Sequence, residues 1–152
     1  MLSFLLGVIS SLVATGIIYF VAKVALPNLK DKWLYNGVRV SGSWDVYEER
    51  NGINLKSGTL ELKQVGRIIH GTSTRTKTRD GNESQRKFNY FGSISAHQMT
   101  LIFDDAKGKD FDTGSYVFIV QNDCKTMIGM TTFHGKPENK IVAEQRTLIK
   151  VA

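Results

Sequence analysis

The sequence predicts an all-β domain, an antiparallel up-and-down barrel of roughly eight strands, preceded by one N-terminal transmembrane helix. Three observations predict it. The chain opens on a long apolar run that is almost free of charge. From Val38 onward, apolar residues instead alternate with polar ones in short segments, with no helical period. These segments are joined by short, turn-rich connections, which make consecutive strands antiparallel neighbours and let an even meander close without exposed edges.

The apolar run extends from Phe4 to Leu26, 23 residues whose single charge is Lys23. At ~1.5 Å rise per residue it is long enough for a hydrocarbon core of ~30 Å. Pro27 stops it. A cleaved signal peptide fits less well, because no Lys or Arg precedes the run and no small-x-small cleavage site follows it. Lys23, Lys30, Lys32 and Arg39 all lie on its C-terminal side, so the positive-inside rule places the following domain in the cytoplasm. Trp33 and Tyr35 stand where the chain leaves the bilayer, as interfacial anchors or as packed residues. Ser3, Gly7, Ser11 and Thr15 recur every fourth residue, a small-residue face that suits self-association of helices in lipid. The expected organisation is a helix over 1–27, a basic juxtamembrane linker over 28–39 and a barrel over 40–152.

SGSWDVYEER, at 41–50, begins the strands, with Trp44 and Val46 on one face and Asn51-Gly52 as its turn. SGTLELKQVG follows, its Leu60 and Leu62 opposed to Glu61 and Lys63, and Gly66 breaks it. RIIHGTSTRTKT is rich in β-branched residues, and Asp80-Gly81-Asn82 is the clearest hairpin turn in the chain. RKFNYFGSIS, QMTLIFDD, the Gly108 turn, TGSYVFIVQ, the Asn122-Asp123 turn, KTMIGMTTFH, the HGKPEN turn and KIVAEQRTLIKV complete eight strands at a spacing of about a dozen residues.

A barrel of eight strands is just wide enough to be filled by side chains or to hold one small ligand. Many inward candidates are large: Trp44, Leu60, Leu62, Phe88, Tyr90, Met99, Leu101, Phe103, Tyr116, Phe118, Met127 and Phe133. Gly71, Gly92, Gly114 and Gly129 fall inside strands, where glycine marks a bend or a close approach.

The formal charge of +6 and a pI near 9.5 permit nucleic acid, anionic lipid or a phosphate-bearing ligand without choosing between them. A single cysteine, Cys124, excludes an intrachain disulfide. His70, His97 and His134 lie in separate segments without metal-ligand spacing. Neither a phosphate loop, a nucleophile elbow nor a paired-carboxylate motif is present, so the expectation is a non-enzyme without metal or cofactor.

More informative is HGTSTRTKTRDGNESQRKFNYFG, which carries five basic residues, Arg75, Lys77, Arg79, Arg86 and Lys87, against Asp80 and Glu83. On a strand, Gly71, Ser73, Arg75 and Lys77 share one face, and His70, Thr72, Thr74 and Thr76 the other. Arg forks and Lys point charges suit phosphates, and aromatic faces suit bases. A solvated hairpin tip near anionic headgroups explains the same composition.

GSW at 42–44, GTLELKQVGRIIHG at 58–71, YFGSI at 90–94, GSYVFIV at 114–120 and IGMTTF at 128–133 give the domain a lipocalin-like look. Joined to a membrane segment and a short linker, it resembles the transmembrane β-barrel effectors of bacterial anti-phage defence, of the cyclic-oligonucleotide CBASS type. The resemblance rests on architecture and on glycine and aromatic spacing over nearly the whole chain. It implies that a nucleotidyltransferase, linked only through its product, makes a cyclic dinucleotide on infection. The cytoplasmic barrel binds that regulatory ligand, the effector forms a homo-oligomer, and the inner membrane is disrupted until the cell dies; in a related arrangement the nucleotide instead holds the effector inactive and its loss triggers it. Members usually carry two spans, whereas this chain has one. The residues then expected to touch phosphate are Arg75, Lys77 and Arg146, with Trp44 and Tyr90 stacking on bases and Tyr116 lining the pocket. Two other classes stay open: a membrane-tethered carrier of a hydrophobic ligand, and an assembly module with a solid barrel.

Overall fold

The computed structural model describes residues 2–26, 35–50, 52–77, 82–107, 113–135 and 139–151. Pro27, Lys30, Lys32 and Trp33 lie outside them, as do Asn51, Asp80, Gly81, Gly108 and 136–138 of the expected turns. Two compact units divide between Tyr35 and Asn36.

The first unit holds a helix, α1, over Leu2–Phe20, continued by a π-helix over Val21–Ala25. In the π-turn the N–H of Leu26 bonds the carbonyl of Val21, five residues back. Among the described residues no helix is long and apolar enough to cross a membrane. The expected 23-residue α-helical span is thus a 19-residue α-helix plus a wider turn, and the side chains of 2–6, 8, 24 and 25 fall outside those described. Of the small-residue face, Ser3 is among these; Gly7 has open space around it. The Thr15 hydroxyl donates back to the Ser11 carbonyl at 2.8 Å.

The second unit is a closed antiparallel barrel of eight strands in sequence order. They are β1 Gly42–Arg50, β2 Ile53–Val65, β3 Ile68–Lys77, β4 Glu83–Ser95, β5 Gln98–Asp105, β6 Gly114–Val120, β7 Thr126–Gly135 and β8 Lys140–Lys150. Closure comes from β1 against β8, with partners from Trp44↔Lys150 to Glu48↔Arg146, so no strand is left as an edge. Two strands start earlier than their apolar patterns suggest. β2 includes the exposed INLK and β4 includes ESQ, because cross-strand pairing extends both past the last residue that is buried.

Alternation fixes what points inward. In β5 every second side chain from Met99 to Asp105 is buried and its neighbours are exposed. Register shifts occur at two places. One, between Val46 and Tyr47, makes Ser57 an extra residue, buried with its hydroxyl 3.3 Å from the Val46 carbonyl. The other lies between Arg75 and Lys77.

One end of the barrel, where the chain enters at Val40, is packed solid. Trp44, Leu60, Leu62, Ile69, Ile94, Met99, Leu101, Phe118, Val120, Met127 and Leu148 are buried there, each adding roughly 1.5–3 kcal/mol of apolar burial. The entering chain is strapped across this end. Gln64 Oε1 accepts the Val40 N–H at 2.8 Å, Gln64 Nε2 donates to the Val38 and Gly66 carbonyls, and the Trp44 indole donates to the Val40 carbonyl at 2.8 Å.

Candidate functional site

Along each strand the inward side chains change character from the packed end to the far end. β1 reads Trp44, Val46, Glu48; β3 reads Ile69, Gly71, Ser73, Arg75; β5 reads Met99, Leu101, Phe103, Asp105. β8, running the other way, reads Leu148, Arg146, Glu144. The far half of the interior is therefore a layer of rings and hydroxyls beneath a layer of ions.

Two arginines define the ionic layer. Arg146, with 5% of its side chain exposed, reaches Glu48 Oε1 at 3.2 Å and Glu144 Oε2 at 2.6 Å. Arg75 reaches the same Glu48 oxygen at 3.2 Å, and its Nε donates to the Lys77 carbonyl at 2.7 Å. Glu48 is nearly sealed from water, and a carboxylate at such depth needs paired donors to offset its lost hydration. Both arginines stand opposite a glycine, Arg75 opposite Gly58 and Arg146 opposite Gly129, where neighbouring backbones approach too closely for a side chain. A Cβ at Gly58 meets the Thr74 carbonyl, and one at Gly129 meets the Val117 carbonyl.

A third arginine, Arg86, is the cross-strand partner of Arg75 but turns to Asp105 at 3.0 Å and lies 5.3 Å over the Phe88 ring. Asp105 also accepts the Lys107 N–H at 2.9 Å. That backbone bond first, and the Arg86 bond second, hold its carboxyl below the usual carboxylate range. Like charges at Arg75 and Arg86 thus each take a separate acid. Arg75, Arg86 and Arg146 face Glu48, Glu144 and Asp105, an equal number of charges of each sign.

Below them Tyr90, Phe103 and Tyr116 form a triangle with centroids 5.3–5.6 Å apart. Phe88 and Phe118 add edge contacts. The Tyr90 hydroxyl lies 3.2 Å from Ser73 Oγ. Burial, with Tyr116 as the next cause, pushes the Tyr90 phenol well above its ordinary pKa.

Arg75, Arg146, Tyr90 and Tyr116 of the expected ligand residues therefore occupy one half of one interior. Lys77 does not join them: it is exposed, past the register shift. Trp44 faces inward but lies fully buried at the packed end, its N–H used by Val40 and its ring under Lys150 Nζ at 5.6 Å. Glu48, Glu144, Arg86, Asp105 and Thr131 went unnamed as site residues. For Glu48 the signal was present, two positions beyond Val46 on the Trp44 face.

Compared with protein-family models and with curated proteins, the chain matches none. What the site does is argued from its own chemistry. Fixed guanidiniums and hydroxyls above a cluster of tilted rings suit binding and orientation. Among the described residues no cluster of His, Cys, Asp and Glu has the geometry to hold a metal ion.

Proposed function

We propose that this chain is a membrane-anchored effector of bacterial anti-phage defence, whose barrel binds a cyclic dinucleotide that controls oligomerisation and membrane disruption. The observation that carries it is the convergence of Arg75 and Arg146 on one carboxylate, beside the Tyr90–Tyr116 rings. Phosphates take arginine forks and bases take aromatic faces, and this interior offers both within one half of a barrel. A carrier of a hydrophobic molecule needs an apolar cavity, and three buried or half-buried arginines oppose it.

The N-terminal segment supplies the membrane part. Helix runs unbroken from Leu2 through Ala25, and Leu12, Ile17, Ile18, Tyr19 and Phe20 are each at least 59% exposed on it. Bare apolar side chains around a helix call for lipid or another helix. Under this proposal it is the 23-residue apolar run 4–26 as a whole, α-helix and π-turn together, that makes a single pass through the inner membrane. Lys30, Lys32 and Arg39 keep the barrel on the cytoplasmic side.

The outer wall supports the homo-oligomer. From Thr100 and Ile102 of β5 to Gln145 and Thr147 of β8 the outward side chains carry no charge, although the chain has 34 charged residues, 20 basic and 14 acidic. Ile102, Val117, Ile119, Ile128 and Met130 are each at least 40% exposed within it. An uncharged face is its own electrostatic complement, so a second copy of a basic chain meets no repulsion there.

Full-length protein in detergent micelles, melted against a panel of cyclic di- and trinucleotides with a fatty acid as control, tests the proposal. A nucleotide at 100 times its Kd adds ~2.7 kcal/mol. A shift with one cyclic dinucleotide supports the sensor, and its upstream nucleotidyltransferase is then linked through that product alone. A shift with the fatty acid alone makes the chain a carrier. A flat panel leaves an assembly module.

A further inference from the structure

Thr131 holds the one side-chain polar atom among the described residues that is buried without a hydrogen-bond partner, its Oγ1. The residue is 1% exposed and lies on the inward face of β7, between Met127 and Gly135. Its cross-strand partners are Tyr116 on β6 and Glu144 on β8. On one side stands a ring of the aromatic triangle; on the other, the carboxylate that Arg146 holds at 2.6 Å.

A buried hydroxyl with no bond is a net cost to the fold, and an apolar side chain of the same shape avoids that cost. Other inward hydroxyls are engaged: Ser73 meets Tyr90, and Ser57 meets the Val46 carbonyl. We infer that Thr131 reads the polar edge of a nucleobase lying against Tyr116, so that its hydroxyl is satisfied only in the liganded barrel. This rests on the cyclic-dinucleotide function proposed above and adds the base contact to it. A hydroxyl both donates and accepts, so it serves a carbonyl or a ring nitrogen on the base. A site built around such a bond rejects a ligand that cannot make it, because the hydroxyl is then left buried and unpaired.

Thr131→Val and Thr131→Ser separate this role from a structural one. Both full-length variants and the wild type are melted and titrated with cyclic dinucleotides of adenine, guanine and uracil. Without ligand, Thr131→Val melts at or above the wild-type temperature, since it removes no bond. Its affinity for the nucleotide that the wild type binds best falls about tenfold or more, while Thr131→Ser stays within about threefold. A Thr131→Val protein that melts several degrees lower overturns the inference, because the hydroxyl then has a partner in the unliganded fold. Wild-type affinity in Thr131→Val overturns it while leaving the nucleotide function standing. If the wild type binds no member of the panel, both fall together.

Discussion

Arg75 and Arg146, from strands on opposite sides of β1 and β2, each place Nη2 3.2 Å from the same oxygen of Glu48. A single acid thereby fixes two guanidiniums at a definite separation inside the barrel. It also makes Glu48 the residue whose loss the ionic layer tolerates least. Both Glu48 and Arg146 have 5% of their side chains exposed, and removing Glu48 withdraws one acid from two guanidiniums at once, with Glu144 still holding Arg146 at 2.6 Å.

Glu48→Gln is therefore expected to destabilise the barrel by about 3–5 kcal/mol at neutral pH, a loss of roughly ten degrees or more in melting temperature. Replacing Glu48 and Arg146 together by Leu and Met takes the acid from Arg75 and the 2.6 Å partner from Glu144, so the double variant is expected to be no more stable than Glu48→Gln alone. Urea unfolding of both variants checks the order. Under the proposed function, a bound cyclic dinucleotide returns part of the stability lost in Glu48→Gln, as phosphate takes over the arginines.

Tyr90 sets the alkaline limit. Burial, and then Tyr116, raise its folded pKa above the unfolded value near 10. Its contribution is complete below that unfolded value and declines as pH rises through the folded one. Stability against pH should accordingly fall above pH ~10, and Tyr90→Phe should flatten that fall. The same variant loses the 3.2 Å contact with Ser73, costing about 1 kcal/mol at neutral pH.

At the acid end the signs reverse. The Lys125 N–H and the Thr126 hydroxyl hold the Asp123 carboxyl below its ordinary range, and the Lys107 N–H followed by Arg86 does the same at Asp105. Such groups contribute fully above the unfolded value near 3.9 and are lost as pH falls through the folded one. Melting temperature should drop below pH ~4. Asp123→Asn, unable to titrate, should make the drop shallower, which a melting series from pH 5 to pH 2 reads directly.

The fold was legible where one face of a strand had to be buried. QMTLIFDD states its own inward set, and all eight strands were visible as alternating runs between turn signals. Period two gives a side chain's face but not its height in the barrel, so Trp44 and Arg75 shared an interior on paper and lie at opposite ends of it in the structure. Lys77 was placed beside Arg75 by simple alternation; the register shift between them depends on how β3 pairs with β4, which no single strand encodes. Thr131 carried no signal in TTFHG, since a hydroxyl stands out only once its neighbours are seen to be spoken for.

The uncharged wall gives the last prediction. Val117 pairs with Met130 and Ile119 with Ile128, so four apolar side chains make a compact block on the outside of β6 and β7. Val117→Lys and Ile119→Lys place a cation where the wall has none, on side chains already 40% and 58% exposed. Surface changes of this kind move stability by about 0.5 kcal/mol or less, and neither position faces the interior, so melting and nucleotide affinity should both stay at wild-type values. If the wall joins copies, two lysines meeting across an isologous contact repel. Under the proposed function, oligomers then disappear from size-exclusion profiles, and leakage from vesicles carrying the full-length protein is lost with them. Oligomers of unchanged size would move the interface to the membrane helices, where Gly7→Leu becomes the decisive variant.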